Sequence, residues 1–259
     1  MKTRATFVVA VALLLNCVAF NSRAQSTAAA PRTVSEQYLF QAANSERVQR
    51  GLPALRWDDN LFRAASNHAH EMAARQSISH QYAGEPELEQ RGKLVGARFS
   101  TIAENVAMAP TAVRIHDAWM NSPHHRENLL DPTVDSVAIS VLQRNGELYA
   151  VEDFDRSVAA LSLDEQESQV GQLLREAASV DVLPGSEEAR QTCAMDSGYA
   201  GQRQPWFVMR YSAGDLTQLP EQLKTKLATG RFRQVAVGAC EVHQKQAFTA
   251  FNIAVLLYP

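Results

Sequence analysis

Ala118-Trp119-Met120-Asn121-Ser122-Pro123-His124-His125-Arg126-Glu127-Asn128-Leu129 holds two helix signals and two imidazoles in twelve residues. Ala112, Ile115, His116, Trp119 and Met120 recur at helical spacing, so an amphipathic helix runs into this stretch. Ser122 then suits an N-cap and Pro123 suits the first helical position, so a short second helix starts there. His124 and His125 fall in its first turn. Trp119 is spaced as a core residue.

The same logic extends in both directions. Upstream, Tyr38, Leu39, Ala42, Ala43 and Arg47 form a helical stripe that begins near Ser35, and Gly51-Leu52-Pro53 stops it. A second helix starts at about Asp59, read as its N-cap, and ends at Arg75, with Leu61, Ala64, Ala65, His68, Ala69 and Met72 inward. Residues 77–98 are polar and glycine-bearing and read as loops with short helices. Downstream, Val137–Leu142 and Leu148–Phe154 are strands joined at Asn145-Gly146, a strong hairpin signal because both residues tolerate positive φ. Helices over a small antiparallel sheet make this half α+β.

Beyond Ser157 the pattern continues with a helix over Glu165–Ala178, a loop-rich stretch 180–205 and a strand over Trp206–Tyr211. A helix over Leu219–Ala228 and strands over Gln234–Val242 and Ala247–Tyr258 follow. This is a second, smaller α+β unit or an extension of the first. Ala112–Phe154 and Leu216–Tyr258 share an order of helix, Val-Ala strand, turn and strand. Val137-Ala138-Ile139-Ser140 faces Val235-Ala236-Val237-Gly238 in that comparison. Either chance recurrence or an internal duplication that lost its histidines and glutamates explains the echo.

The chain has 259 residues with 25 basic and 28 acidic side chains, a formal charge of −3. That balance argues against a nucleic-acid partner. Residues 1–24 have the form of a signal peptide. Lys2 and Arg4 precede an apolar run from Ala5 to Phe20, and Ser22-Arg23-Ala24 offers small residues at the −3 and −1 positions of a cut before Gln25. An uncleaved anchor and a lipoprotein centred on Cys17 are weaker readings. Cleavage removes Lys2, Arg4 and Arg23 and takes the formal charge to −6. Residues 25–32 then form a flexible lead-in, no membrane span remains, and the product is secreted or periplasmic. Cys193 and Cys240 are left in an oxidising compartment, where a disulfide is favoured over two buried thiols.

Six of the seven histidines lie between 68 and 125. His70-Glu71 is followed by Ala74 where the helical zinc motif needs a second histidine. Gly-x-Ser-x-Gly, phosphate-binding glycine loops and Cys-x-x-Cys are missing too. The blocks that remain are ordered. They are Leu39–Arg56 (LFQAANSERVQRGLPALR), His68-Ala69-x-x-Met72-Ala73, Ser79-His80, Ala103-Glu104-Asn105-Val106, and Ala118-Trp119-Met120-Asn121-Ser122-Pro123-x-His125-Arg126-x-Asn128-Leu129. Together they resemble the CAP superfamily of cysteine-rich secretory proteins, insect antigens and plant pathogenesis-related proteins, in its bacterial SCP form.

That resemblance covers about Thr33 to Asp155. It implies a CAP-type α-β-α sandwich over 33–155, followed by the smaller α+β unit at 156–259. It also implies a cleft lined by two histidines and two acids that is often able to hold a divalent metal. The carried-over residues are His80, His125 and Glu104. Two neutral imidazoles and a carboxylate suit zinc or a similar ion. The family's second acid falls on Ser122, so the set is incomplete, and Asp117 lies before Trp119. His124 stands where glycine is usual, which puts an extra imidazole beside the cleft or merely an exposed one, and Ser122, His124 and Asn105 are candidate cleft residues. Glu104, His80 and His125 also have a plain reading, in which they pair with one another and hold loops. His68 reads as helix packing and Arg126 as a structural salt bridge. The expected function is a binding module for a lipid, peptide or cell-envelope component. A metal-assisted hydrolase with Glu104 as its catalytic group and a structural envelope protein are the alternatives.

Overall fold

The computed structural model describes residues 33–241 and 248–259. The signal peptide, the lead-in and the expected strand ends at Val242 and Ala247 lie outside the described residues. The first elements are α1 (Val34–Gln49), β1 (Arg56–Trp57), α2 (Asp59–Arg75), α3 (Leu88–Leu94) and β2 (Phe99–Ala109). They are followed by α4 (Ala112–Asn121), α5 (Pro123–Leu130), β3 (Ser136–Arg144) and β4 (Glu147–Ser157). The rest comprises α6 (Leu163–Ala177), β5 (Asp181–Val182), α7 (Glu187–Ala194), β6 (Phe207–Ala213), α8 (Glu221–Leu227), β7 (Gln234–Cys240) and β8 (Phe251–Tyr258).

Local chemistry sets the helix starts. Thr33 caps α1 in a reciprocal box with Glu36, and Ser162 does the same for α6 with Glu165. Asp58, not Asp59, caps α2, accepting from Leu61 N at 2.8 Å. Ser122 sits at the N-cap of α5, but its side chain makes no capping bond. Its carbonyl instead accepts from Arg126 N at 3.0 Å.

The first sheet has strand order β1-β3-β4-β2. β1 runs parallel to β3, and the other pairs are antiparallel. One face packs Val137, Ile139, Val141, Ala150 and Phe154 against Leu39, Ile115, Trp119 and Leu129 of α1, α4 and α5. The opposite face carries Val106, Tyr149 and Val151 against Ala65, Ala69 and Met72 of α2. This is an α-β-α sandwich.

A second sheet, β5-β7-β8-β6, has the same order and the same strand directions. Val170 and Leu174 of α6 and Leu223 and Leu227 of α8 cover one face. Ala189 and Cys193 of α7 cover the other, beside Ala236, Ala254 and Leu256. α7 lies close on β7: a Cβ at Gly238 would come within 2.1 Å of the Ala189 carbonyl carbon. The Cys193–Cys240 disulfide joins α7 to the end of β7, with Cα atoms 5.7 Å apart. Phe99 and Phe248 meet edge to face at 5.8 Å between the two halves, and Thr249 N donates to Phe99 O at 2.7 Å.

Several elements escaped the sequence reading. β2 has Glu104 and Asn105 at its centre, which hides its apolar run. β1 and β5 are two residues each, too short for any pattern. α7 lies in the stretch read as loop, because its inward face is only Ala189, Thr192 and Cys193.

Candidate functional site

Glu104 sits near the middle of edge strand β2, only 6% exposed. Its Oε1 accepts from His80 Nδ1 at 2.9 Å, and its Oε2 accepts from Arg91. Arg91 is itself buried on α3, and its other terminal nitrogen donates to His80 O at 2.9 Å. One guanidinium therefore neutralises the carboxylate and also fixes the backbone of the histidine that binds it. Fork geometry of this kind is what arginine offers and lysine does not.

His68 extends the network. It is fully buried, with Nδ1 2.6 Å from Glu85 Oε1 and Nε2 2.7 Å from Ser79 O. Its Nε2 also lies 3.9 Å from Glu104 Oε2. Read from sequence as a packing residue, it is a polar post that ties α2 to the loop carrying His80. The signal was there: an imidazole on the apolar stripe of α2, next to Ala65, Ala69 and Met72, has to be hydrogen-bonded.

His125 comes from α5, which is set against β2 by two amides. Asn105 Nδ2 donates to His125 O at 3.0 Å and to Glu152 Oε2 at 3.1 Å. Asn128 Nδ2 donates to Asn105 Oδ1 at 3.0 Å and to Glu104 O at 3.2 Å. Arg47, 1% exposed, anchors the far end of α5 through the carbonyls of Leu129 and Asp131. Burial lowers the Arg47 pKa, and the charge of Asp131 opposes that shift.

The sequence-predicted residues thus fall into different places. His80 and Glu104 are bonded, and the charge of His80 reaches His125. Asn105 is fully buried and serves as a tie between strand and helix. Ser122 is the backbone cap of α5. The His124 side chain is 94% exposed and faces Glu127 at 3.7 Å. Arg126 donates to Met120 O at 2.9 Å, which is a backbone tie and not the expected salt bridge.

The two imidazoles are biased in opposite directions. The hydrogen bond from His80 to Glu104 raises the His80 pKa above its usual value, and burial only partly offsets it. Burial lowers that of His125, and the charges of His80 and His124 add to the effect. Nδ1 of His80 is spoken for, and among the described residues no protein group bonds its Nε2 or the His125 ring. A groove of about 560 Å³ between α2 and α3 reaches the back of this network. Ala64, Pro86, Leu94 and Val95 line it together with Glu85 and Arg91.

Beside Glu104 lies a row of buried acids on β4. Glu152, Asp153 and Asp155 are all fully buried. Burial pushes Glu152 up to about 8, against the hydrogen bond from Asn105. Burial likewise pushes Asp155 up to about 7, against its bond from Ser136.

The family model of the cysteine-rich secretory proteins matches residues 40–154, the stretch that builds the first sheet and the His80–Glu104–His125 site. Residues 40–154 are a CAP domain. The CAP domain is similar to the Bacillus subtilis protein YkwD, 28% identical over 124 residues that make up 47% of this chain and 48% of that one. It is also similar to the Bacillus subtilis membrane protein YlbC, 29% identical over 114 residues, 42% of this chain and 32% of that one. The chain therefore spans half or less of the length of these curated relatives. Among solved structures, an outer surface protein of Borrelia burgdorferi aligns with a TM-score of 0.45 and 23% identity, over 48% of this chain and 92% of its own. An extracellular SCP-domain protein of Bacillus anthracis aligns with a TM-score of 0.45 and 24% identity, over 50% of this chain and 45% of its own.

Proposed function

We propose that the CAP domain is a secreted or periplasmic binding module. In this reading His80 and His125 hold a divalent ion, zinc or similar, and the site presents it to a lipid, peptide or cell-envelope component. Residues 156–259 accompany it as a unit without such a site. The observation that carries this reading is the bond from His80 Nδ1 to Glu104 Oε1, which leaves Nε2 without a protein partner among the described residues. A metal-binding histidine commonly donates its other ring N–H to a carboxylate, which fixes its tautomer and its direction. The lowered pKa of His125 favours the neutral imidazole that a metal needs.

The donor set fits in this limited form. Among the described residues no three His, Cys, Asp or Glu side chains gather as a metal-binding group. Glu104 accordingly acts through His80, and its own oxygens are taken by His80 and Arg91. A bound ion would supply a Lewis acid with positions left for an external ligand. The same occupancy weighs against a hydrolase with Glu104 as general base, because a base needs a free carboxylate oxygen. The groove behind the network, with its apolar wall and charged floor, supports a binding role. The leader pattern of residues 1–24 and the Cys193–Cys240 disulfide support export. No helix among the described residues is long and apolar enough to cross a membrane.

Metal analysis after equilibration with zinc tests the reading. The wild type retains about one ion per chain, and the His80→Ala, His125→Ala double variant retains none. Equal zinc in both proteins overturns it.

A further inference from the structure

The second sheet is a control for the first, built into the same chain. In the first sheet Trp57 pairs with Val137, and Val137 with Phe154. In the second, Val182 pairs with Val235, and Val235 with Leu257. Superposing the two registers on these anchors places Glu104 on Val208, Glu152 on Val255, Asp153 on Leu256 and Asp155 on Tyr258. The same strand order thus exists twice, once with a row of buried acids and once without it. Burying an acid costs free energy that an apolar residue does not. The fold does not need these acids, as the second sheet shows, so their presence in the first has another cause.

Asp153 is the one that meets the site. It lies directly across from Glu104 in antiparallel register, on the same face of the sheet, where opposed Cβ atoms approach to about 5 Å. Its relative exposure is 0%, and among the described residues no N–H or hydroxyl reaches either of its oxygens. Two facing carboxyls without an intervening donor are compatible only if one of them carries a proton. Glu104 is the one held by Arg91 and His80, so the proton belongs on Asp153. Burial, and after it the charge of Glu104, favour that neutral form, against the pull of the Arg91 charge.

The geometry points to Asp153 as the carboxyl that faces Glu104 across the sheet: a positioning residue that donates a carboxyl-to-carboxylate hydrogen bond to Glu104 and so fixes the oxygen that orients His80. This rests on the reading of His80 as a site residue.

The test uses Asp153→Leu, which installs the side chain that the second sheet carries at this position, and Asp153→Asn, which keeps a donor to Glu104. Two readouts are followed in the full chain. The first is the proton NMR resonance of His80 Nδ1–H, which reports its bond to Glu104 without any metal. The second is zinc affinity by calorimetry. In Asp153→Leu the protein stays folded, with an unfolding midpoint at or above the wild type. Its His80 Nδ1–H signal is lost to exchange, and zinc affinity falls about tenfold or more, the usual effect of losing an outer partner of a ligand. Asp153→Asn retains the signal and most of the affinity. Asp153→Ala carries the expectation of Asp153→Leu without its volume. If either apolar variant folds and keeps a wild-type signal, the assignment is overturned. A wild type that binds no zinc overturns the metal reading above, while the His80 signal still decides the role of Asp153.

Discussion

Arg91 shows how much of the site depends on single buried groups. Its guanidinium faces Glu104 and carries the carbonyl of His80, and the ion pair is shielded from water. Removing one member of such a pair leaves a buried charge without its counter-ion, here held only by the His80 bond, and typically costs about 3–5 kcal/mol. Arg91→Met is therefore expected to lower the urea-unfolding free energy by that amount, and a loss under about 1 kcal/mol would mean that Glu104 is solvated after all. Glu152 makes a second claim at this scale. Its usual value is 4.5 and its folded value is about 8, so between those limits the folded chain holds a proton that the unfolded chain has released. Stability from this group is complete below the lower limit and is lost as pH rises through about 8. Asp155, pushed to about 7, has the same sign over a narrower window. The wild type should lose unfolding free energy from about pH 5 to about pH 8, and Glu152→Gln, neutral throughout, should lose visibly less. Equal slopes in the two proteins would place Glu152 in water.

Helix α1 and helix α6 perform the same service for their sheets. β1 and β5 are only two residues long, so the outward N–H groups farther along β3 and β7 have no strand beside them. Glu36 Oε1 accepts from Val141 N at 3.2 Å, and Glu167 Oε1 accepts from Ala239 N at 3.0 Å. Val141 and Ala239 are the same position of the two registers, four residues after Val137 and Val235. An unpaired buried backbone N–H costs about 1–3 kcal/mol, so Glu36→Ala and Glu167→Ala should each destabilise by about that much. Chemical unfolding checks this, and a neutral result at either site would break the correspondence. The disulfide acts only in the second sheet. The Cys193→Ala, Cys240→Ala pair closes no loop and should cost about 4 kcal/mol in the chain-entropy account, seen as an unfolding midpoint below that of the oxidised wild type.

At the scale of the whole molecule, the sequence was legible wherever a period or a turn had to be repeated. The stripes of α1, α2 and α6 and the Asn145-Gly146 hairpin stand where apolar spacing put them, and both cysteines pair. The motif blocks marked the family and brought His80 and Glu104 together. What stayed hidden was set by contacts distant in sequence. β2 could not be read because Glu104 and Asn105 interrupt its apolar run at the centre. Asp153 reads as one more charged residue of a strand, and only its register opposite Glu104 gives it a partner. Of the two readings of His124, cleft residue or exposed imidazole, the second holds: neighbours on a helix point apart, and its side chain faces solvent. The echo between the two halves was faint in residues and plain in topology, since strand order survives when side chains are exchanged.

The central claim is that the first sheet carries a two-imidazole ion site. A ligand that binds only the folded state raises its stability by about 2.7 kcal/mol at a hundredfold excess over its dissociation constant. Thermal unfolding with and without saturating zinc is the direct measurement, made on the wild type beside the His80→Ala, His125→Ala variant. The account predicts a clear rise in midpoint for the wild type and none for the variant. No rise in the wild type, or the same rise in both, would contradict it.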